Sequence, residues 1–222
     1  MDPFILKCTD PLPAEKSARL GKPGIFFDRD GTIIEEKNYL SDPLDLKILP
    51  SVPQGLRKLK FTGLPLYLFT NQAGVAHGFF DETKLREVHF YLIKELNRLK
   101  VNLRGILFCP HHPLAEIEAY RRDCFCRKPN PGLLLKAAAL DQVELDQSYI
   151  IGDKLIDIEA GKKVGAKTIL VLTGYGRKER AGIRPENTPD FVAGELNQAV
   201  NWILKDLTLS RRLIPRRVSN AD

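Results

Sequence analysis

Gly24-Ile25-Phe26-Phe27-Asp28-Arg29-Asp30-Gly31-Thr32 is the stretch that decides the fold. Its first four residues read as a short buried strand, and the chain breaks at Gly31. Asp28 and Asp30 stand at the carboxyl end of that strand, at alternate positions, so in an extended segment they share one side. Open α/β sheets bind their ligands at the carboxyl ends of strands. Two acids there need a reason, because unpaired buried charge is costly. One reason is a hard divalent ion such as Mg2+, which takes oxygen ligands. Another is a carboxylate acting as covalent nucleophile. The plainest alternative is a strand end followed by an Asp-Gly turn.

Outward from this stretch, apolar strands alternate with helical patterns. Strands are expected at 66–70, 105–108, 149–151, 167–172 and 190–193. Helices are expected at about 53–62, 82–99, 131–140, 155–164 and 195–207. Leu85, Val88, Leu92, Leu96 and Leu99 show the helical spacing most clearly. Continuously apolar strands joined by helices imply an α/β fold, a doubly wound parallel sheet covered on both faces. Residues 1–207 are expected to form a single domain. Within it, residues 1–23 hold four prolines among polar residues and are expected to wrap the surface as an arm. The connection 33–50 is long, which is a mark of functional loops.

The composition excludes several classes. The chain of 222 residues has ample material for one core. No run approaches the roughly 18 apolar residues of a membrane helix, and the N-terminus lacks the pattern of a secretory signal. A cytoplasmic monomer is the expectation, with a small phosphorylated metabolite rather than a membrane as its partner. Net charge is +6. Four arginines against one aspartate make 208–222 a basic tail, which is read as solvated. Aromatic and basic residues do not interleave in the body as they do in single-strand binders, which argues against nucleic acid.

The polar clusters fall just after strands. Asp28 and Asp30 follow the first. Thr70 and Asn71 end the second, Arg127-Lys128-Pro129 precedes a helix, and Gly152-Asp153 ends a later strand with Asp157 four residues on. Carboxylates for a cation, a hydroxyl and an amide for oxyanions, and a lysine for negative charge are the parts of phosphoryl transfer. D-x-D-G-T, T-N, a lysine before a helix and G-D-x-x-x-D, in this order from about residue 24 to 175, resemble the haloacid dehalogenase superfamily of phosphohydrolases. The resemblance implies that Asp28 is the nucleophile and Asp30 the acid and base. It implies that Thr70 and Asn71 hold phosphate oxygens, and that Lys128 neutralises the phosphate. Asp28, Asp153 and the backbone carbonyl of Asp30 would ligate Mg2+, with Asp157 supporting Asp153. His77 and His89 are read as loop and helix-surface residues, and Lys154 as solvated.

Cys109-Pro110-His111 and Cys124-Phe125-Cys126 bracket a further segment. Residues two apart in an extended chain point the same way, so each pair is a two-toothed clip. Together they give a Cys3His set of the kind that holds structural zinc, Zn2+. His112 is the competing ligand, and the two-residue period favours His111. Cys8 stands outside the clip as a free thiol. C-x-H…C-x-C-R-K-P with T-N-Q-x-G-V-A-x-G is similar to the D-glycero-D-manno-heptose 1,7-bisphosphate phosphatases. The histidinol-phosphate phosphatases also carry a zinc loop and are the alternative. Both imply a minimal cap, so that the loops 33–50, 71–80 and 109–126 select the substrate. Arg127 is then the natural grip for a second anionic group. A non-catalytic zinc- and phosphate-binding module is the competing reading from another class.

Overall fold

A computed structural model describes residues 4–7, 10 and 21–213, with 210–213 described through their backbone only. Seven strands form one parallel sheet. They are β1 (Phe4–Lys7), β2 (Ile25–Phe27), β3 (Leu66–Asn71), β4 (Gly105–Cys109), β5 (Tyr149–Gly152), β6 (Lys167–Val171) and β7 (Phe191–Ala193), in the order β1-β4-β3-β2-β5-β6-β7. The chain runs outward from β2 to one edge, returns, and runs from β5 to the other. The switch point therefore lies between β2 and β5, where Phe27 pairs with Ile151 and a ligand crevice is expected.

The helices are α1 (Val52–Leu59), α2 (Ala73–Ala76), α3 (Glu82–Arg98), α4 (Gly132–Asp141), α5 (Leu155–Lys162), α6 (Gly176–Glu179) and α7 (Leu196–Leu213). Alternation along β2 sends Ile25 and Phe27 to one face and Phe26 to the other. Ile25 and Phe27 join a core with Leu56, Val88, Leu92, Leu196 and Val200, residues of α1, α3 and α7. Phe26 joins a second core with Leu133, Ala137 and Ala160, from α4 and α5. The sheet is thus covered on both faces, and strands buried on both sides have no polar alternation to show.

Three expectations are corrected. Part of the expected arm, Phe4–Lys7, is instead an edge strand paired in parallel with β4 from Phe4↔Gly105 to Lys7↔Phe108. The segment 73–76, read as loop, makes a turn of helix. The last helix runs on to Leu213, so the basic tail begins as helix. Cys8, Arg216 and Arg217 lie outside the described residues.

Helix α5 sits tight on the sheet because Gly161 has no side chain. A Cβ there would lie 2.6 Å from Thr168 and 2.7 Å from Ile150. Overpacking of this kind costs about 1–3 kcal/mol, and α5 carries Asp157. Gly161→Ala should lower unfolding free energy in urea by that amount. An unchanged midpoint would show that α5 can ride outward freely.

Candidate active site

The carboxyl ends of β2, β3 and β5 bring the expected residues together. Asp28 continues β2, its N–H donating to Ile151 O at 2.9 Å. Asp153 follows β5, and Asp157 rises from the first turn of α5. The three carboxylates are buried and offer oxygens within 4.8 Å of one another. Lys128 Nζ sits among them, 2.7 Å from Asp28 Oδ1 and 2.6 Å from Asp157 Oδ1, and it also donates to Phe69 O at 3.0 Å. Burial works against the Lys128 charge, but Asp157 and Asp28 outweigh it and hold its pKa above the ordinary range.

Three buried carboxylates and one buried ammonium do not balance. Burial first, then Asp28 and Asp157, push the Asp153 pKa up to about 8. One of its oxygens, Oδ2, accepts from Tyr175 N–H at 2.8 Å, while buried Oδ1 has no partner among the described residues. The surroundings are cut to fit this carboxyl. Gly31, at φ +75°, and Gly174, at φ +51°, pass so close that a Cβ on either would lie 2.2 Å from Asp153 Oδ2. An orphaned oxygen in a dense acidic cluster suits a hard divalent cation, and Asp28 and Asp153 are placed to hold Mg2+. Asp157, expected to support Asp153, stands in the same cluster and pairs with Lys128. Its Oδ2 also accepts from Lys154 N–H at 3.1 Å, which fixes the start of α5.

Thr70 and Asn71 end β3 as expected, but they do different things. Thr70 is buried, and its Oγ1 accepts from Gln72 Nε2 at 2.9 Å. Asn71 spends its amide on the backbone of Lys128, donating to the carbonyl at 3.1 Å and accepting from the N–H at 3.0 Å. Asn71 is therefore a strut that ties the end of β3 to the Lys128 loop, and it still lines the cavity. That cavity, about 220 Å³, is also lined by Asp30, Tyr39, Arg127, Lys154 and Tyr175.

Among the described residues, Lys154 is not simply solvated. Its ammonium lies 4.5 Å from the centre of the Tyr175 ring and 3.4 Å from Glu36 Oε2. The loop 33–50 reaches across the mouth. Asn38 and Tyr39 both take left-handed backbone angles, φ 44° and 71°, a conformation that costs energy for residues with side chains. Asn38 Oδ1 accepts from Tyr175 O–H at 2.9 Å, and the Tyr39 ring packs 4.6 Å from that of Phe79.

On the next loop, Cys109, His111 and Cys124 bring ligand atoms within 4.8 Å of one another. His111 Nδ1 faces Cys109 Sγ at 3.6 Å. Burial and the neighbouring Arg122 push the His111 pKa down to about 4, so the ring is neutral and able to ligate. His112 turns away and accepts from Leu114 N–H at 3.1 Å. The fourth expected ligand, Cys126, is half-buried on the same loop but outside that group of three. Arg127 Nη1 donates to His111 O at 3.1 Å, which couples the clip to the cavity.

Comparison with known proteins decides the family. A HAD-hydrolase-like family profile matches residues 125–199. The D-glycero-beta-D-manno-heptose-1,7-bisphosphate 7-phosphatase of Photorhabdus laumondii is 39% identical over 189 residues, 84% of this chain and 92% of that protein. The enzyme of the same name from Escherichia coli K12 is 38% identical over 176 residues, 78% of this chain and 90% of that protein. This chain belongs to the haloacid dehalogenase-like heptose bisphosphate phosphatases. The D,D-heptose 1,7-bisphosphate phosphatase of B. bronchiseptica, solved with magnesium and phosphate, superimposes with a TM-score of 0.73 at 31% identity, covering 83% of this chain and 99% of that one.

Within this family frame, three residues carry contacts that the sequence reading missed. Arg29 is buried and grips Asp30, with a distance of 2.9 Å from its Nη2 to Asp30 Oδ2. Gln72 links Arg29, Asp30 and Thr70. His89, read as a helix-surface residue, is 0% exposed and meets Arg29. The signal for His89 was its place four residues after Leu85, on the inward stripe of α3.

The Asp153 carboxyl gives this site a pH signature. Its pKa is raised from 3.8 to about 8 by burial and the neighbouring acids. The stability it contributes is present in full below pH 3.8 and is lost as pH rises to about 8. Bound Mg2+ favours the carboxylate and opposes that loss. Saturating Mg2+ should therefore raise the midpoint of thermal unfolding by about 5–10 °C at about pH 8, and by much less at about pH 5. Equal shifts at the two values would remove Asp153 from the cation site.

Proposed function

We propose that the chain hydrolyses the 7-phosphate of D-glycero-D-manno-heptose 1,7-bisphosphate through a phospho-Asp28 intermediate. The observation that carries this reading is the 2.7 Å contact of Lys128 with Asp28 inside a buried acidic cluster, in a chain aligned along most of its length with phosphatases of that substrate. Asp28 and Asp153 would hold Mg2+, which would supply positive charge to screen a carboxylate from a phosphate dianion. Lys128 does the same from the protein side.

In the first step an Asp28 oxygen forms a bond to phosphorus as the bond to the substrate oxygen breaks. Asp30 gives its proton to that departing alkoxide. In the second step water attacks phosphorus, Asp30 takes its proton, and inorganic phosphate leaves with Asp28 restored. The Thr70 hydroxyl binds a phosphate oxygen at the end of β3. Asn71 acts by holding Lys128 in place.

Arg127, at the cavity wall, grips the second phosphate of the bisphosphate, since a guanidinium binds phosphate in two places. The clip binds zinc through Cys109, His111 and Cys124, with Cys126 as the fourth ligand, and keeps Arg127 aimed at the cavity.

Phosphate release from heptose 1,7-bisphosphate should exceed that from histidinol phosphate in kcat/KM by roughly 10²-fold or more. Preference for histidinol phosphate would overturn the substrate. Asp28→Asn should abolish turnover in a chain that circular dichroism shows still folded, and a retained rate would remove Asp28 as nucleophile. Arg127→Ala should cut kcat/KM for the bisphosphate by about 10- to 100-fold, the worth of hydrogen bonds to a charged group. An equal loss on a monophosphate would show that Arg127 does not read the second phosphate. Elemental analysis should find one zinc per chain, lost in Cys109→Ser. Cys109→Ser protein with full zinc would contradict the clip.

A further inference from the structure

Arg29 is 1% exposed, one of the largest buried side chains among the described residues. A buried guanidinium needs a partner for each edge. Nε and Nη2 lie 2.9–3.2 Å from both Asp30 oxygens. Nη2 also donates to Gln72 Oε1 at 2.9 Å, and Nη1 meets His89 Nε2 at 3.1 Å. Gln72 closes the ring, its Nε2 donating to Asp30 Oδ2 and to Thr70 Oγ1, each at 2.9 Å. His89 comes from the middle of α3, with its ring edge-on to Phe108 at 5.4 Å between centroids. Burial, with Arg29 and Arg86 beside it, keeps the His89 ring neutral at ordinary pH. A neutral ring can offer Nε2 as an acceptor to Arg29, which an imidazolium cannot.

Both oxygens of Asp30 are thus held by Arg29, and Oδ2 by Gln72 as well, at the wall of the cavity. Proton transfer depends on geometry within hydrogen-bond reach of the departing oxygen, and a carboxyl on one short side chain can rotate out of reach. We propose that Arg29, Gln72 and His89 are positioning residues that fix the Asp30 carboxyl for proton transfer, with His89 anchoring the guanidinium from the core. This rests on the phosphatase reading above. In that reaction the proton goes from Asp30 to the departing alkoxide and later from water back to Asp30, so the cluster itself neither gains nor loses one.

The test uses the leaving group. kcat/KM reports steps through the first irreversible one, here departure of the leaving group. A sugar phosphate leaves as a basic alkoxide that needs the Asp30 proton, whereas p-nitrophenolate leaves without it. His89→Leu removes the acceptor behind Arg29. It should lower kcat/KM for the heptose bisphosphate by roughly 10²-fold, while p-nitrophenyl phosphate falls by no more than about threefold. His89→Gln keeps an acceptor and should restore most of the loss. His89→Phe, which also removes the acceptor behind Arg29 but keeps an aromatic ring against Phe108, should show the same selective pattern and serves if His89→Leu does not fold. Equal losses on both substrates, or no loss on either, overturn the clamp while wild-type turnover leaves the phosphatase standing. A wild-type chain inert to both substrates overturns the phosphatase reading and the clamp with it.

Discussion

The structure depends on one electrostatic constraint, the packing of Asp28, Asp153 and Asp157 around a single buried ammonium. Three carboxylates against Lys128 leave an excess of negative charge in a region from which water is excluded. Removing charge from water is costly, and a like-charged cluster forms only where something else holds it together. Here the backbone does so. Asp28 extends β2 and Asp153 follows the neighbouring β5. Asp157 is locked by the N–H of Lys154 at the start of α5. Gly31, Gly152 and Gly174 let these segments approach more closely than any side chain would allow, a Cβ on Gly152 lying 2.2 Å from Asp157 Oδ2.

From that constraint the function follows. A site that concentrates negative charge, with a lysine fixed beside the strand-end carboxylate, has the parts that the proposed attack of Asp28 on a phosphate of the same charge requires. The lysine does not float. Asn71 pairs with the Lys128 backbone through both its N–H and its carbonyl, which ties the loop between β4 and α4 to the end of β3. The Cys109–His111–Cys124 group lies on that same connection, and Arg127 joins it to the cavity through His111. At the cavity mouth, Asn38 and Tyr39 take left-handed backbone angles, Asn38 bonded to Tyr175 and Tyr39 packed against Phe79.

Much of this was legible in the sequence for a topological reason. In a parallel sheet every strand presents its carboxyl end to the same edge, so polar residues that follow successive strands must meet. Asp28, Thr70, Lys128 and Asp153 are found this way. The residues behind them were not, because their partners are set by packing between layers. Arg29 lies between two acids that draw the attention, and only its burial shows that it takes part. Gln72 reads as loop. His89 sits on an apolar stripe where a lone histidine draws no notice. The edge strand Phe4–Lys7 escaped for a different reason, since four apolar-leaning residues in a proline-rich segment carry too little periodicity to mark a strand.

The central claim is that Asp28 becomes covalently phosphorylated. The most direct measurement is to quench the Mg2+-loaded enzyme in acid during turnover of the heptose bisphosphate, reduce it with borohydride and map the peptides by mass spectrometry. An acyl phosphate on Asp28 is converted to homoserine at position 28, and the account predicts that change there and at no other acid. Modification of Asp30, Asp153 or Asp157 instead, or phosphate release with no acyl phosphate trapped at any time during turnover, would contradict it.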